Sequence, residues 1–251
     1  MTGQAVQVWW ARRDDGHPGL LTLLDPVERA RYEATVAPAD KERFLLGCAL
    51  SRLALGDLLG VPPADVPLRR VCPRCGGPHG KVALAVPPAS AYADVDFSVT
   101  HSGDVIGVAV CRGASVGLDV EEYAGGLDVG TAATSALTPT ELTALYARPS
   151  AERHSAFLRT WTRKEAVLKA LGVGLRLPLR ELEVSAPQAP PAVLAWPDRL
   201  AAPRPTAALA DMVVDGAHPA SVAVVGARTV RIDRIDRRDA SAAVAAYGGG
   251  A

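Results

Sequence analysis

This sequence predicts an α+β fold of two subdomains, 1–113 and 114–251, and three observations carry that expectation. The 251 residues, 49% hydrophobic and 22% charged, can build one large domain or two ordinary ones with ample core. Strand-like and helix-like segments come in runs rather than in strict alternation. The runs also repeat in coarse order: helices then strands before residue 114, strands then helices then strands after it.

The elements follow from local signals. Val6–Trp10 reads as a first strand. Asp25-Pro26 opens a helix, with Asp as N-cap and Pro in the first turn. Pro38–Leu59 is a longer helix with a broad stripe from Phe44, Leu45, Leu50, Leu53, Leu55, Leu58 and Leu59, and it stops at Gly60 and Pro62-Pro63. Leu68–Val71, Val82–Val86 and Val95–Thr100 read as strands. Asp104–Cys111 and Ser115–Glu121 read as a hairpin turned at Gly113. Thr138 with Glu141 three residues on is a capped helix start. Ser155–Leu171 is the clearest helix, ended by Gly172 and Gly174 with Pro178 beyond. Six prolines between 186 and 205 mark a loop or sheet edge. Leu209–Val214, Ser221–Val225 and Arg228–Asp236 are late strands, and Gly248–Ala251 is a tail.

Formal net charge is zero, so no global field recruits nucleic acid or a membrane, and an anionic ligand needs a local pocket. The absence of a leader-like start and of an apolar 18-mer points to a cytoplasmic protein; we expect a monomer. Only four of the 27 basic side chains are Lys. Two of them, Lys164 and Lys169, flank Glu165, and Lys81 follows Gly80 in a turn. Lys is a compact point charge that exchanges a proton, and Arg is a fork that does not, so chemistry is sought near these positions.

Four motifs carry it. In Gly117-Leu118-Asp119-Val120-Glu121, residues two apart on a strand share a face, so Asp119 and Glu121 point together. Oxygen-only donors suit a hard cation such as Mg²⁺; a solvated strand end gives the same pattern. In Trp161-Thr162-Arg163-Lys164-Glu165-Ala166-Val167-Leu168-Lys169, Trp161, Glu165 and Lys169 stand at i, i+4 and i+8 on one helical face. Leu158, Trp161, Leu168 and Leu171 form the apolar stripe, with Glu165 at its edge. In Ser98-Val99-Thr100-His101-Ser102-Gly103, a strand runs into a polar turn whose His suits a phosphate or a hydrogen bond. His79-Gly80-Lys81 pairs a permissive glycine with a charge.

Taken in chain order, the motifs resemble the 4′-phosphopantetheinyl transferases of the surfactin-synthetase-activating (Sfp) type: a Gly-Lys turn, a Ser-His-Ser-like turn, Gly-x-Asp-x-Glu, and the helix motif of Trp161, Lys164, Glu165, Ala166, Lys169, Gly172, Gly174 and Leu175. The resemblance covers roughly residues 20–180. It implies a pseudo-twofold pair of similar α/β subdomains with the active site in the cleft between them. It implies transfer of phosphopantetheine from coenzyme A to a Ser of an acyl or peptidyl carrier protein, releasing 3′,5′-ADP. It implies Mg²⁺, or Mn²⁺, held by Asp119, Glu121 and Glu165, and coenzyme A contacts from Arg31, Arg43, Lys81, Thr100, His101 and Lys164. Glu165 is then the general base, and Lys169 neutralises or protonates the leaving phosphate. Thr100 stands where the family often has Ser and keeps the hydroxyl; Glu28 stands where some members have a basic residue.

Two other readings share these residues: a Mg²⁺-dependent nucleotide pyrophosphate hydrolase, and a non-catalytic module binding coenzyme A or carrier proteins. Cys72 and Cys75 with His79 supply three of the four ligands of a closed zinc site; a free thiol pair is the expectation.

Overall fold

The computed structural model describes residues 2–71, 76–77, 80–123, 126–174, 177–200 and 203–247. In chain order the elements are β1 (Thr2–Arg12), α1 (Pro26–Ala34), α2 (Pro38–Leu59), β2 (Leu68–Arg70), β3 (Val82–Leu84), β4 (Val95–Ser102), β5 (Val105–Arg112) and β6 (Ser115–Val120). There follow α3 (Val129–Ala136), α4 (Pro139–Tyr146), α5 (Ser150–Leu171), β7 (Glu183–Val184), β8 (Val193–Ala195), β9 (Thr206–Val214), β10 (His218–Gly226), β11 (Val230–Asp239) and α6 (Ser241–Ala246). The protein is α+β. No helix among the described residues is long and apolar enough to cross a membrane.

The chain forms two compact units. One comprises residues up to Gln4 with Ala114–Arg234, the other Ala5–Gly113 with the segment from Ile235 on. The expected second subdomain, 114–251, thus gives up its end to the first. The reason is packing: β11 lies beside β1 at a sheet edge, and Ala240 and Val244 are fully buried among α2 and β5 residues.

In the unit of residues 5–113, a sheet of order β11-β1-β5-β4 is covered by α2. Leu46, Leu50 and Leu55 of α2 pack with Phe97, Ile106 and Val108 of β4 and β5. Pro38 opens α2, and Gly60, at φ 68°, closes it in the left-handed conformation that glycine adopts without strain. Asp25 accepts from the Glu28 amide at 2.8 Å while Glu28 accepts from the Asp25 amide at 3.0 Å, a capping box for α1.

The expected hairpin across Gly113 does not form. β5 pairs with β4 through a two-residue turn, Ser102 opposite Val105, and with β1, so both of its edges are taken. β6 belongs to a different sheet, of order β6-β10-β9. Alternation and a glycine identified the strands but not their partners.

In the other unit, α5 lies across β6 and β10. Phe157, Leu158, Val167 and Leu168 are buried with Leu209, Ala223 and Val225. Thr138 and Glu141 cap α4 reciprocally, as their spacing predicts. Among the described residues of the Pro-rich stretch, only the short β8 forms, paired with β7.

Candidate active site

The geometry begins with a glycine. A Cβ on Gly117 would fall 1.9 Å from the Ala166 carbonyl oxygen and 2.5 Å from the Ala170 amide nitrogen, far inside contact distance. Only glycine lets the backbone of α5 rest on β6 at this point. Two residues along β6, on the same face, is Asp119, 5% exposed. On α5, Glu165 and Lys169 each come one residue before these contact points, Ala166 and Ala170.

Lys169 Nζ donates to Asp119 Oδ1 at 2.7 Å. Glu165, half-buried, has its pKa raised above the ordinary carboxylate range. Burial is the largest cause and the charge of Asp119 the next, with Lys169 acting in the opposite direction. Asp119, Glu165 and Lys169 therefore form one electrostatic group. Glu121 follows the end of β6: its amide donates to Pro219 O at 2.9 Å, extending the ladder with β10, and its Oε1 accepts from Trp161 Nε1 at 3.0 Å.

Among the described residues, no group of three His, Cys, Asp or Glu side chains is arranged to hold a metal ion. Lys169 engages Asp119 and Trp161 engages Glu121 instead. The donor set fits a hard divalent cation all the same. It is oxygen-only, and Asp119 and Glu165 are close enough to feel each other's charge.

Lys164 departs from expectation. Its side chain is fully buried; its ammonium pairs with Glu141 and donates to Ala136 O at 2.8 Å and Leu179 O at 3.1 Å. Burial lowers its pKa, against the opposing pull of Glu141. Lys164 points into the protein core, one residue before Glu165 and about 100° around the helix from it. The expected coenzyme A contact is thus replaced by a structural ion pair.

Arg163 is also buried, which composition did not suggest. Its guanidinium holds Asp211 at 2.6 and 3.0 Å and four carbonyls between Ser185 and Ala189. Asp211 Oδ1 also accepts from Ser221 Oγ, which meets Thr162 Oγ1 at 3.0 Å. Ser221 stands opposite Asp119 in the β6–β10 register. No local signal marks Arg163, because its partners lie 22 to 48 residues away.

The other unit carries the remaining expected residues. Arg43 on α2 donates from Nε to Gly103 O at 2.7 Å, at the tip of the β4–β5 hairpin, and from Nη1 to Asp40 at 2.8 Å. His101 is exposed next to that tip and Thr100 is buried. As successive strand residues they face opposite sides of the sheet. Val99 faces Gly47 of α2, so His101 lies on the Arg43 side. Lys81 pairs with Asp96, which shares the Thr100 face.

Arg31 sits over the Phe44 ring, 5.5 Å from its centroid. Sequence reasoning passed over Arg70, whose Nη1 donates to Gly80 O at 3.3 Å; its pKa is lowered by burial and then by the charge of Arg31. Glu28 accepts from Arg52 at 2.7 and 3.1 Å besides capping α1, so the acidic residue at this position has a structural task. Cys72, Cys75, His79 and Leu175 lie outside the described residues.

Residues 115–222 match the sequence model of the 4′-phosphopantetheinyl transferase superfamily. The chain is 30% identical over 207 residues to the 4′-phosphopantetheinyl transferase HetI of Nostoc sp., covering 82% of this chain and 81% of that protein. It is 28% identical to a phosphopantetheinyl transferase of Thraustochytrium sp., over 68% and 62% of the two chains. It is 30% identical to a 4′-phosphopantetheinyl transferase of Bacillus subtilis, over 58% of each.

Proposed function

The chain belongs to the 4′-phosphopantetheinyl transferase superfamily, and from that premise we propose that it is an Sfp-type member. In this reading it transfers 4′-phosphopantetheine from coenzyme A to a serine of an acyl or peptidyl carrier protein in a Mg²⁺-dependent reaction. The observation that carries the reading is the group on α5 and β6: Asp119 held by Lys169, with a Glu165 whose pKa is raised beside them.

The serine oxygen bonds to the phosphorus that bears the pantetheine arm. The bond from that phosphorus to the bridging oxygen breaks, and 3′,5′-ADP leaves. Glu165 accepts the serine proton, directly or through water. Lys169, once drawn from Asp119 toward the pyrophosphate, neutralises or protonates the leaving phosphate. Asp119, Glu121 and Glu165 would hold Mg²⁺, whose contribution when bound is to neutralise and polarise the pyrophosphate. Arg31, Arg43, Lys81, Thr100 and His101 are assigned to coenzyme A, and Lys164 is withdrawn from that set.

The test is mass spectrometry of apo carrier proteins incubated with the protein, coenzyme A and Mg²⁺. A gain of one phosphopantetheine group, abolished by EDTA and restored by Mg²⁺ or Mn²⁺, is expected. Cleavage of coenzyme A without a modified carrier would instead identify a hydrolase.

A further inference from the structure

Three side-chain contacts join α5 to β6 and its exit in antiparallel order. Lys169 meets Asp119 at 2.7 Å, Trp161 meets Glu121 at 3.0 Å, and His154 meets Tyr123 ring to ring, edge-on, with centroids 5.3 Å apart. At 3.6 residues per turn, His154, Trp161, Glu165 and Lys169 fall within about 80° of one another around the helix. The outer two contacts bracket the middle one, so the Trp161 indole meets Glu121 within a segment held on both sides. The indole is itself steadied by the buried Phe157, whose ring centroid lies 5.8 Å away.

We propose that Trp161 is a positioning residue: its indole N–H orients the Glu121 carboxylate and thereby sets the affinity for the divalent cation. The inference rests on the metal reading given above. An indole nitrogen donates only and ligates no cation, so its effect must pass through the carboxylate. The acceptor is charged, which makes this one of the stronger classes of hydrogen bond. Partners that orient a ligating group commonly set metal affinity by about 10- to 100-fold.

The experiment titrates Mn²⁺ into the metal-stripped full chain by calorimetry, without coenzyme A. W161F keeps the ring against Phe157 and loses the N–H. It is expected to weaken Mn²⁺ binding by about 10- to 100-fold, and saturating Mg²⁺ should return its transfer rate to within a few-fold of wild type. In an E121Q background the same substitution should add almost nothing, because its route is already cut. Wild-type affinity in W161F, or an equal loss in the E121Q background, would overturn the inference while leaving the metal reading intact. A wild-type chain that binds no Mn²⁺ and transfers in EDTA would overturn the metal reading and this inference with it. Should W161F fail to fold, the ¹⁵N-labelled wild-type chain decides. One of the four indole N–H signals should shift on Mg²⁺ addition, and no shift in any of them overturns the proposal.

Discussion

Glu165 is held at a cost to the fold. Burial and the Asp119 charge both disfavour its ionised form, so its folded pKa lies above the unfolded one. Between those two values the folded state binds the extra proton, and stability falls as pH rises through that window. Above the raised pKa the penalty is complete; below about pH 4.5 it is absent. Glu165→Gln removes the charge and keeps the shape. In metal-free buffer at neutral pH it should raise Tm, with the gain vanishing in acid, while carrier-protein turnover collapses. A neutral-pH Tm equal to or below wild type would show that the Asp119–Glu165 repulsion is not felt. Lys169 allows a second decision at this scale. Lys169→Arg keeps the charge that meets Asp119 but holds its proton. Turnover should stay within a few-fold of wild type if Lys169 only neutralises charge, and drop by about 10²-fold or more if it donates a proton. Single-turnover rates with an apo carrier protein separate the two.

At the scale of elements, α5 is the central piece, and its sequence reads only partly as what it is. The stripe of Leu158, Trp161, Leu168 and Leu171 suggested one buried face. Thr160, Thr162, Arg163 and Lys164 are buried as well, because sheet strands cover one side and the segments around Ala136, Leu179 and Ser185 meet the other. The Lys164–Glu141 pair ties those segments together, since Glu141 also accepts from the Val184 and Thr138 amides at 2.9 and 2.8 Å. Lys164→Met should destabilise by about 3–5 kcal/mol, because it leaves a buried carboxylate without its cation, and the K164M/E141L double variant should be markedly less harmed. Urea unfolding checks both. Gly117→Ala tests the other surface of α5. The clash is with backbone, so no rotamer relieves it; α5 must lift from β6, and the Lys169–Asp119 contact should be lost. The expected result is a folded but destabilised protein with transfer reduced far more than by the same substitution at an exposed glycine such as Gly216. Wild-type turnover in the Gly117→Ala variant would show that the close approach has no bearing on catalysis.

At the scale of the whole molecule, the last strand from Ile235 onward and the last helix belong with the first half of the chain. Ala240 N–H donates to Trp10 O at 2.8 Å, His17 Nε2 meets Val244 O at 2.9 Å, Arg238 pairs with Asp57 at 2.8 Å, and Val244 is fully buried. Truncation after Arg234 should therefore unfold or strongly destabilise the unit containing α2, and leave the unit containing α5 comparatively protected. Hydrogen exchange resolved by peptide would show this as lost protection in β1 and α2 with retained protection in α5 and β10. Uniform loss across both units would contradict the division.

Much was legible without coordinates where the cause was local. Capping boxes at Asp25 and Thr138 and left-handed glycines at 60 and 172 bound their helices as their sequences indicate, because a cap is decided within four residues. The spacing of Asp119 from Glu121, and of Trp161 from Glu165 and Lys169, follows from the periods of strand and helix alone. Partners distant in sequence were not legible. Which strand lies beside β5, where β11 ends, and whether Lys164 faces a ligand or a buried glutamate depend on which surfaces pack together. A lysine carries the same charge in either setting. Only the packed core, by removing water from Lys164 and leaving Lys169 partly exposed beside Asp119, separates the structural lysine from the one available for chemistry.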